Sequence, residues 1–243
     1  MKKLLVSWIF CLFLVWFAAP VTASGYLDEL FLTTEWWPQE SQTGSLELNY
    51  FKANAYNFAG YQKLGPQGVI AVNGTFGSGY LDSGIFNATF KGGTRDFYTG
   101  VGGILMFDEE KMVVLPRINL GGKIGPEFFK VVLDADLYTL LLVNAGKLEV
   151  GIEINPLPVL QLYGGVNKLF IQHIIAMETL PGNIYQLRAK LDTKPVFLCG
   201  EANFFGSTPL YIGEIGVNIY SLTLRGRITY PESYYSVGVR FNY

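Results

Sequence analysis

The sequence predicts an all-β fold: a closed antiparallel transmembrane β-barrel of about twelve strands, with ten to fourteen compatible with the pattern. Three observations carry this. Apolar residues recur with a period of two, not at helical spacing. The faces they leave between them are strongly polar. After the N-terminal leader, no stretch approaches the roughly 18 to 20 apolar residues that a spanning helix needs, and the strongest candidate, Leu137 to Val143, is far too short.

The leader comes first. Met1-Lys2-Lys3 is followed by an apolar run from Leu4 through Ala19 and by Pro20-Val21-Thr22-Ala23, the plan of a secretory signal peptide cut after Ala23. Residues 1–23 are therefore expected to be removed after Sec-type export, and residues 24–243 to form one domain. Cys11 lies inside the apolar run behind bulky Phe10, which disfavours lipidation. Loss of Lys2 and Lys3 leaves sixteen basic residues against twenty acidic ones, a net charge of −4. That balance predicts no nucleic-acid partner. Cys199 is then the one cysteine remaining, so no internal disulfide can form.

Along the exported part, the N-terminal half shows segments near 26–37, 45–58, 67–75, 79–91, 95–107 and 111–119. Gly-rich or charged turns such as Asp108-Glu109-Glu110-Lys111 separate them. The Gly-rich stretches 74–79 and 100–103 read as room for a solute or as sharp turns and strand curvature, with curvature favoured. Next, Val131, Leu133, Ala135, Leu137, Thr139, Leu141 and Val143 oppose Lys130, Asp134 and Asp136. A turn at Asn144-Ala145-Gly146-Lys147 leads into Leu148, Val150, Ile152 and Ile154, set against Glu149, Glu153 and Asn155. Tyr185, Leu187, Ala189 and Leu191 oppose Gln186, Arg188 and Lys190, and after a turn at 192–195, Val196, Leu198, Ala202 and Phe204 oppose Cys199, Glu201 and Asn203. The chain closes with Leu222, Leu224, Ile228 and Tyr230 against Arg225 and Arg227, the turn Pro231-Glu232-Ser233, and a last segment with Tyr235, Val237, Val239, Phe241 and Tyr243 on one face and Arg240 on the other. The longest loop candidates, Trp36 to Gly44 and Gly60 to Gln67, are modest, so no large recognition surface is expected.

A soluble sandwich also alternates, and three features separate a membrane barrel from it. Polar faces run through nearly every segment, as a wet interior requires. Aromatic pairs such as Trp36-Trp37, Tyr50-Phe51, Phe97-Tyr98, Phe128-Phe129, Phe204-Phe205 and Tyr234-Tyr235 sit near segment ends, where a membrane girdle would place them. The final alternating segment, ending on Tyr243, resembles the C-terminal strand of bacterial outer-membrane β-barrel proteins. That resemblance implies a location in the outer membrane, lipid around the barrel, and recognition of Tyr235, Val237, Val239, Phe241 and Tyr243 by the barrel insertion machinery. It implies no particular activity.

Function is sought in the charges expected inside the barrel: Arg188, Lys190, Arg225, Arg227 and Arg240 from the C-terminal part, and Asp134, Asp136, Glu149, Glu153 and Glu201 from the middle. They read either as the two walls of a narrow pore for small polar or charged solutes, or as ion pairs that brace and close the lumen. An outer-membrane hydrolase needs a base that titrates near neutrality, and the one histidine, His173, is flanked by apolar residues. No enzyme activity is expected. One histidine and one exported cysteine make no zinc cluster, so neither metal nor cofactor is expected. Asn73-Gly74-Thr75 and Asn87-Ala88-Thr89 match a glycosylation acceptor by chance.

Overall fold

The computed structural model describes residues 43–51, 55–77, 84–94, 96–108, 111–140, 143–173, 182–205, 208–231 and 234–243. They form fourteen strands: β1 (Gly44–Phe51), β2 (Ala55–Lys63), β3 (Gly68–Gly77), β4 (Gly84–Gly93), β5 (Tyr98–Asp108), β6 (Lys111–Ile124), β7 (Phe129–Leu140), β8 (Val143–Leu157), β9 (Leu160–His173), β10 (Gly182–Asp192), β11 (Val196–Phe205), β12 (Thr208–Ile219), β13 (Leu222–Tyr230) and β14 (Tyr234–Asn242). Each strand pairs antiparallel with its sequence neighbours. β1 closes on β14 through a register running from Ser45↔Asn242 to Phe51↔Ser236. Closure is a physical necessity in hydrocarbon, where each unpaired backbone group of an open edge costs several kcal/mol.

The count is therefore fourteen, not about twelve: β9 and β12 occupy stretches for which the alternation set out no segment, and one expected segment holds two strands. The segment expected at 45–58 is two strands, β1 and β2, whose pairing reaches Phe51↔Ala55. Its alternation passes almost unbroken through the turn, so periodicity alone could not cut it. Gly60 to Lys63, expected in a loop, belong to β2, which leaves a connection of only 64–67. Residues 144–147 are not a turn but the start of β8, with Lys147 opposite Asp136. Gly74 to Gly77 and Gly100 to Gly103 lie within β3 and β5. The segment at 26–37, the leader and most of the loop at Trp36 to Gly44 lie outside the described residues.

The even strand count brings both ends of the barrel wall to one rim, where the Thr43 and Gly44 amides donate to the Tyr243 carbonyl at 2.8 and 2.9 Å. The connections 64–67, 94–97, 125–128, 158–159, 193–195 and 220–221 share that rim. Gly93 and Gly125, with φ of +131° and +136°, let two of these turns close.

Alternation decides the two faces. Leu48, Val101, Ile118, Val150, Leu187, Ile215, Ile228, Val237 and Val239 point outward and stay exposed, forming an apolar belt. On that outer face, Tyr50, Tyr56, Phe76, Phe58, Phe86 and Phe107 form a chain of ring contacts with centroids 5.4–6.3 Å apart across β1 to β5. The rings of Phe58 and Phe86 lie over Gly74 and that of Phe107 over Gly84, where a Cβ would collide with them. Of the residues expected in an aromatic girdle only Tyr50 belongs to this band, and Tyr98, expected there too, is instead buried in the interior. The alternate positions point inward, and their polar side chains line the interior.

Candidate functional site: the charged interior of the barrel

The interior has two chemically distinct sides. Strands β4 to β8 carry four buried cations, Lys91, Arg117, Lys123 and Lys147, and four buried carboxylates, Asp134, Asp136, Glu149 and Glu153. They form a tight knot. Arg117 Nε donates to Asp136 Oδ1 at 2.7 Å and its Nη1 to Thr89 Oγ1 at 2.9 Å. The Asn119 amide nitrogen donates to Asp134 Oδ1 and to Asp136 Oδ1, both at 2.9 Å. Lys123 pairs with Glu153 at 2.6 Å and Lys147 with Glu149 at 2.8 Å. Two tyrosines complete it, with Lys91 Nζ 4.3 Å from the Tyr98 ring centroid and Arg117 Cζ 5.6 Å from that of Tyr138. The Arg117 side chain is 0% exposed and that of Asp136 1%. Charges this deeply withdrawn from water persist only when paired and hydrogen-bonded.

Strands β10 to β14, closed by β1, present a different wall. Glu47 on β1 accepts from Arg240 at 2.6 Å and from Arg225, and Glu214 pairs with Arg227 at 2.9 Å and with Arg225 at 3.5 Å. Arg188 Nε donates to Glu201 at 3.0 Å across the β10–β11 register, and Asn203 holds the other oxygen of Glu201 at 2.5 Å. Five cations, Arg188, Lys190, Arg225, Arg227 and Arg240, here meet three carboxylates, Glu47, Glu201 and Glu214. Asp192, at the rim, accepts from the backbone of Lys194 instead. The arginine side chains keep 11–35% of their surface exposed. This side is partly open to the lumen and carries a surplus of positive charge.

The residues singled out from sequence therefore divide. Asp134, Asp136, Glu149 and Glu153 fall in the knot, and Arg188, Lys190, Glu201, Arg225, Arg227 and Arg240 on the wall. Tyr235, Val237, Val239 and Phe241 face outward on β14, and the Tyr243 hydroxyl donates to Gln62 Oε1 at 2.9 Å. His173 ends β9, paired with Val143, and its side chain lies outside the described residues. No group of three or more metal-capable side chains occurs among the described residues. Sequence reasoning passed over Glu47, Lys91, Arg117, Lys123, Lys147 and Glu214, although all sit on the polar phase of their strands. The interior also holds a set of buried amides: Asn49, Asn57, Asn119 and Asn167 were not expected there, Asn73 and Asn87 were read as chance glycosylation matches, and Gln186 and Asn203 lie on the polar faces expected for them. Cross-strand amide pairs such as Asn49↔Asn57, Asn73↔Asn87 and Gln186↔Asn203 were the legible signal.

Closed antiparallel pairing, an apolar outer belt and a charged interior define a class, the bacterial outer-membrane β-barrel. Solved structures agree on the fold. The KdgM porin superposes with a TM-score of 0.53 at 8% identity, covering 82% of this chain and 99% of that one. The outer membrane protein Omp33 of Acinetobacter baumannii gives 0.52 at 8% identity, covering 83% and 98%. The CymD monoaromatic hydrocarbon channel gives 0.50 at 10% identity, covering 82% and 87%. No family model and no curated protein matches the chain.

Proposed function

We propose that this barrel is an outer-membrane channel for small polar or charged solutes, with anions favoured, and that the solute path follows the basic wall rather than the knot. The observation that carries the reading is the contrast in exposure and balance. The knot is buried and neutral in count, whereas the wall keeps its arginines partly exposed, with five cations against three carboxylates. A cationic lining raises the local concentration of anions and speeds their entry. The fold neighbours support a channel over an enzyme, since two are named as porin and hydrocarbon channel, and KdgM was also solved with disordered oligogalacturonate.

In this reading residues 1–23 direct export, β14 carries the insertion signal, and lipid covers the outer belt. The fully buried ion pairs of the knot brace the interior, while the partly exposed pairs of the wall line the solute path. The test is planar-bilayer recording of the refolded 24–243 chain. Discrete conductance steps with anion preference, shifting toward cations in the Arg225→Ala/Arg227→Ala variant, are the expected result. A folded, inserted barrel that never conducts contradicts the channel and leaves a structural barrel closed by charge pairs.

A further inference from the structure

Beside the basic wall, two aromatic side chains lie flat against the inside of the barrel. The ring of Tyr163 on β9 covers Gly151 and Gly165, and that of Phe197 on β11 covers Gly216. A Cβ at any of the three glycines would run into the ring above it. The Tyr163 hydroxyl is held by Glu149 Oε1 at 2.5 Å, which fixes the ring plane along the wall. Between the two rings, β10 presents Arg188, with Cζ 5.8 Å from the Tyr163 centroid, and Lys190, with Nζ 5.5 Å from the Phe197 centroid. Both rings are half-buried, whereas Tyr98 and Tyr138 in the knot are fully withdrawn.

From this geometry we infer that Tyr163, Arg188, Lys190 and Phe197 form a binding rail for an acidic oligosaccharide. The inference rests on the channel reading of the same wall. An aromatic face that is flat, fixed and partly exposed suits the apolar face of a pyranose ring, and a guanidinium or ammonium beside it suits a ring carboxylate. Register sets the spacing. Tyr163 is opposite Arg188 and Phe197 opposite Asp192, so the two platforms stand four residues apart, about 13 Å along the strands at ~3.3 Å per residue. That spacing favours an extended, repeating solute over a single ring. The glycines let the rings lie back, so the platforms offer stacking without crossing the lumen.

The experiment is isothermal titration calorimetry of the refolded 24–243 barrel in detergent, with trigalacturonate, maltotriose and monomeric galacturonate as probes. Trigalacturonate is expected to bind more tightly than either of the others. Tyr163→Ala and Lys190→Gln are each expected to weaken it on the order of ten-fold, with Tyr163→Phe retaining the stacking. Heat-modifiable migration on gels verifies that each variant is folded. Should Tyr163→Ala fail to fold, Phe197→Leu provides the same readout at the other platform. No binding of trigalacturonate, equal affinity for maltotriose or the monomer, or folded variants that bind like the parent would overturn the rail, leaving the rings as wall packing. Calorimetry needs no conduction, so a conducting barrel that does not bind refutes the rail alone. A binding barrel that does not conduct refutes the channel alone.

Discussion

The knot on β4 to β8 and the wall on β10 to β14 are built from the same residue types on the same alternating frame, yet they reach opposite states. On the knot, cations and carboxylates match in number, Asn119, Tyr98 and Tyr138 pack among them, and the side chains are lost to solvent. On the wall, three carboxylates are shared among five cations, so Glu47 and Glu214 each serve two arginines and the guanidinium groups stay partly wet. Matching charge one for one in a dry space makes a brace. Leaving a surplus beside water makes a surface that can exchange partners with a passing solute.

The largest effect is expected in the knot. Arg117→Leu leaves Asp136 buried without its guanidinium and should cost about 3–5 kcal/mol, read from urea unfolding of the barrel in lipid vesicles. A variant as stable as the parent would show that the knot is not a brace. The outer belt gives the next effect. Val150→Arg puts a charge on the outer apolar face of β8 and, in a bilayer, should cost about 2–4 kcal/mol near the midplane. Tolerance in the same assay would contradict that depth.

Gly151→Ala acts on the ring that borders the wall. Its Cβ would push the Tyr163 ring off the wall, so the expected result is a smaller single-channel conductance with an overpacking cost of about 1–3 kcal/mol. Conductance equal to the parent would mean that the ring does not border the path. The smallest stability effect belongs to Arg240→Gln. Its side chain is 35% exposed and Glu47 retains Arg225, so a change of about 1 kcal/mol or less is expected. The anion preference should nevertheless fall in that variant, and in the parent it should fade as salt rises from about 0.01 to 1 M, where the screening length shrinks from about 30 to 3 Å.

Much of this was legible in the sequence where alternation is strong. Tyr235 to Tyr243, Leu222 to Tyr230 and Val131 to Ile154 revealed their faces, and so did Arg225, Arg227, Arg240, Asp134 and Asp136, because each sits between large apolar residues. The N-terminal half hid its strands. There the outward positions include Gly60, Gly74, Gly84 and Ala88, too small to mark a lipid face, and the β1–β2 turn adds no break in phase. The division of the charges into knot and wall was not legible at all. It depends on which strands are neighbours around the closed ring, as with Arg225 on β13 reaching Glu47 on β1. No local pattern contains that pairing.

The most direct test of the two-sided interior is thiol accessibility in the 24–243 chain, whose one cysteine, Cys199, faces inward on the wall and is half-buried. A small anionic methanethiosulfonate added to the folded barrel in vesicles should modify Cys199 readily and reduce the current. In a Cys199→Ser background, Asn119→Cys in the knot should stay protected on the same timescale. Equal modification of the two positions, or faster reaction in the knot, would contradict the assignment of the path to the wall.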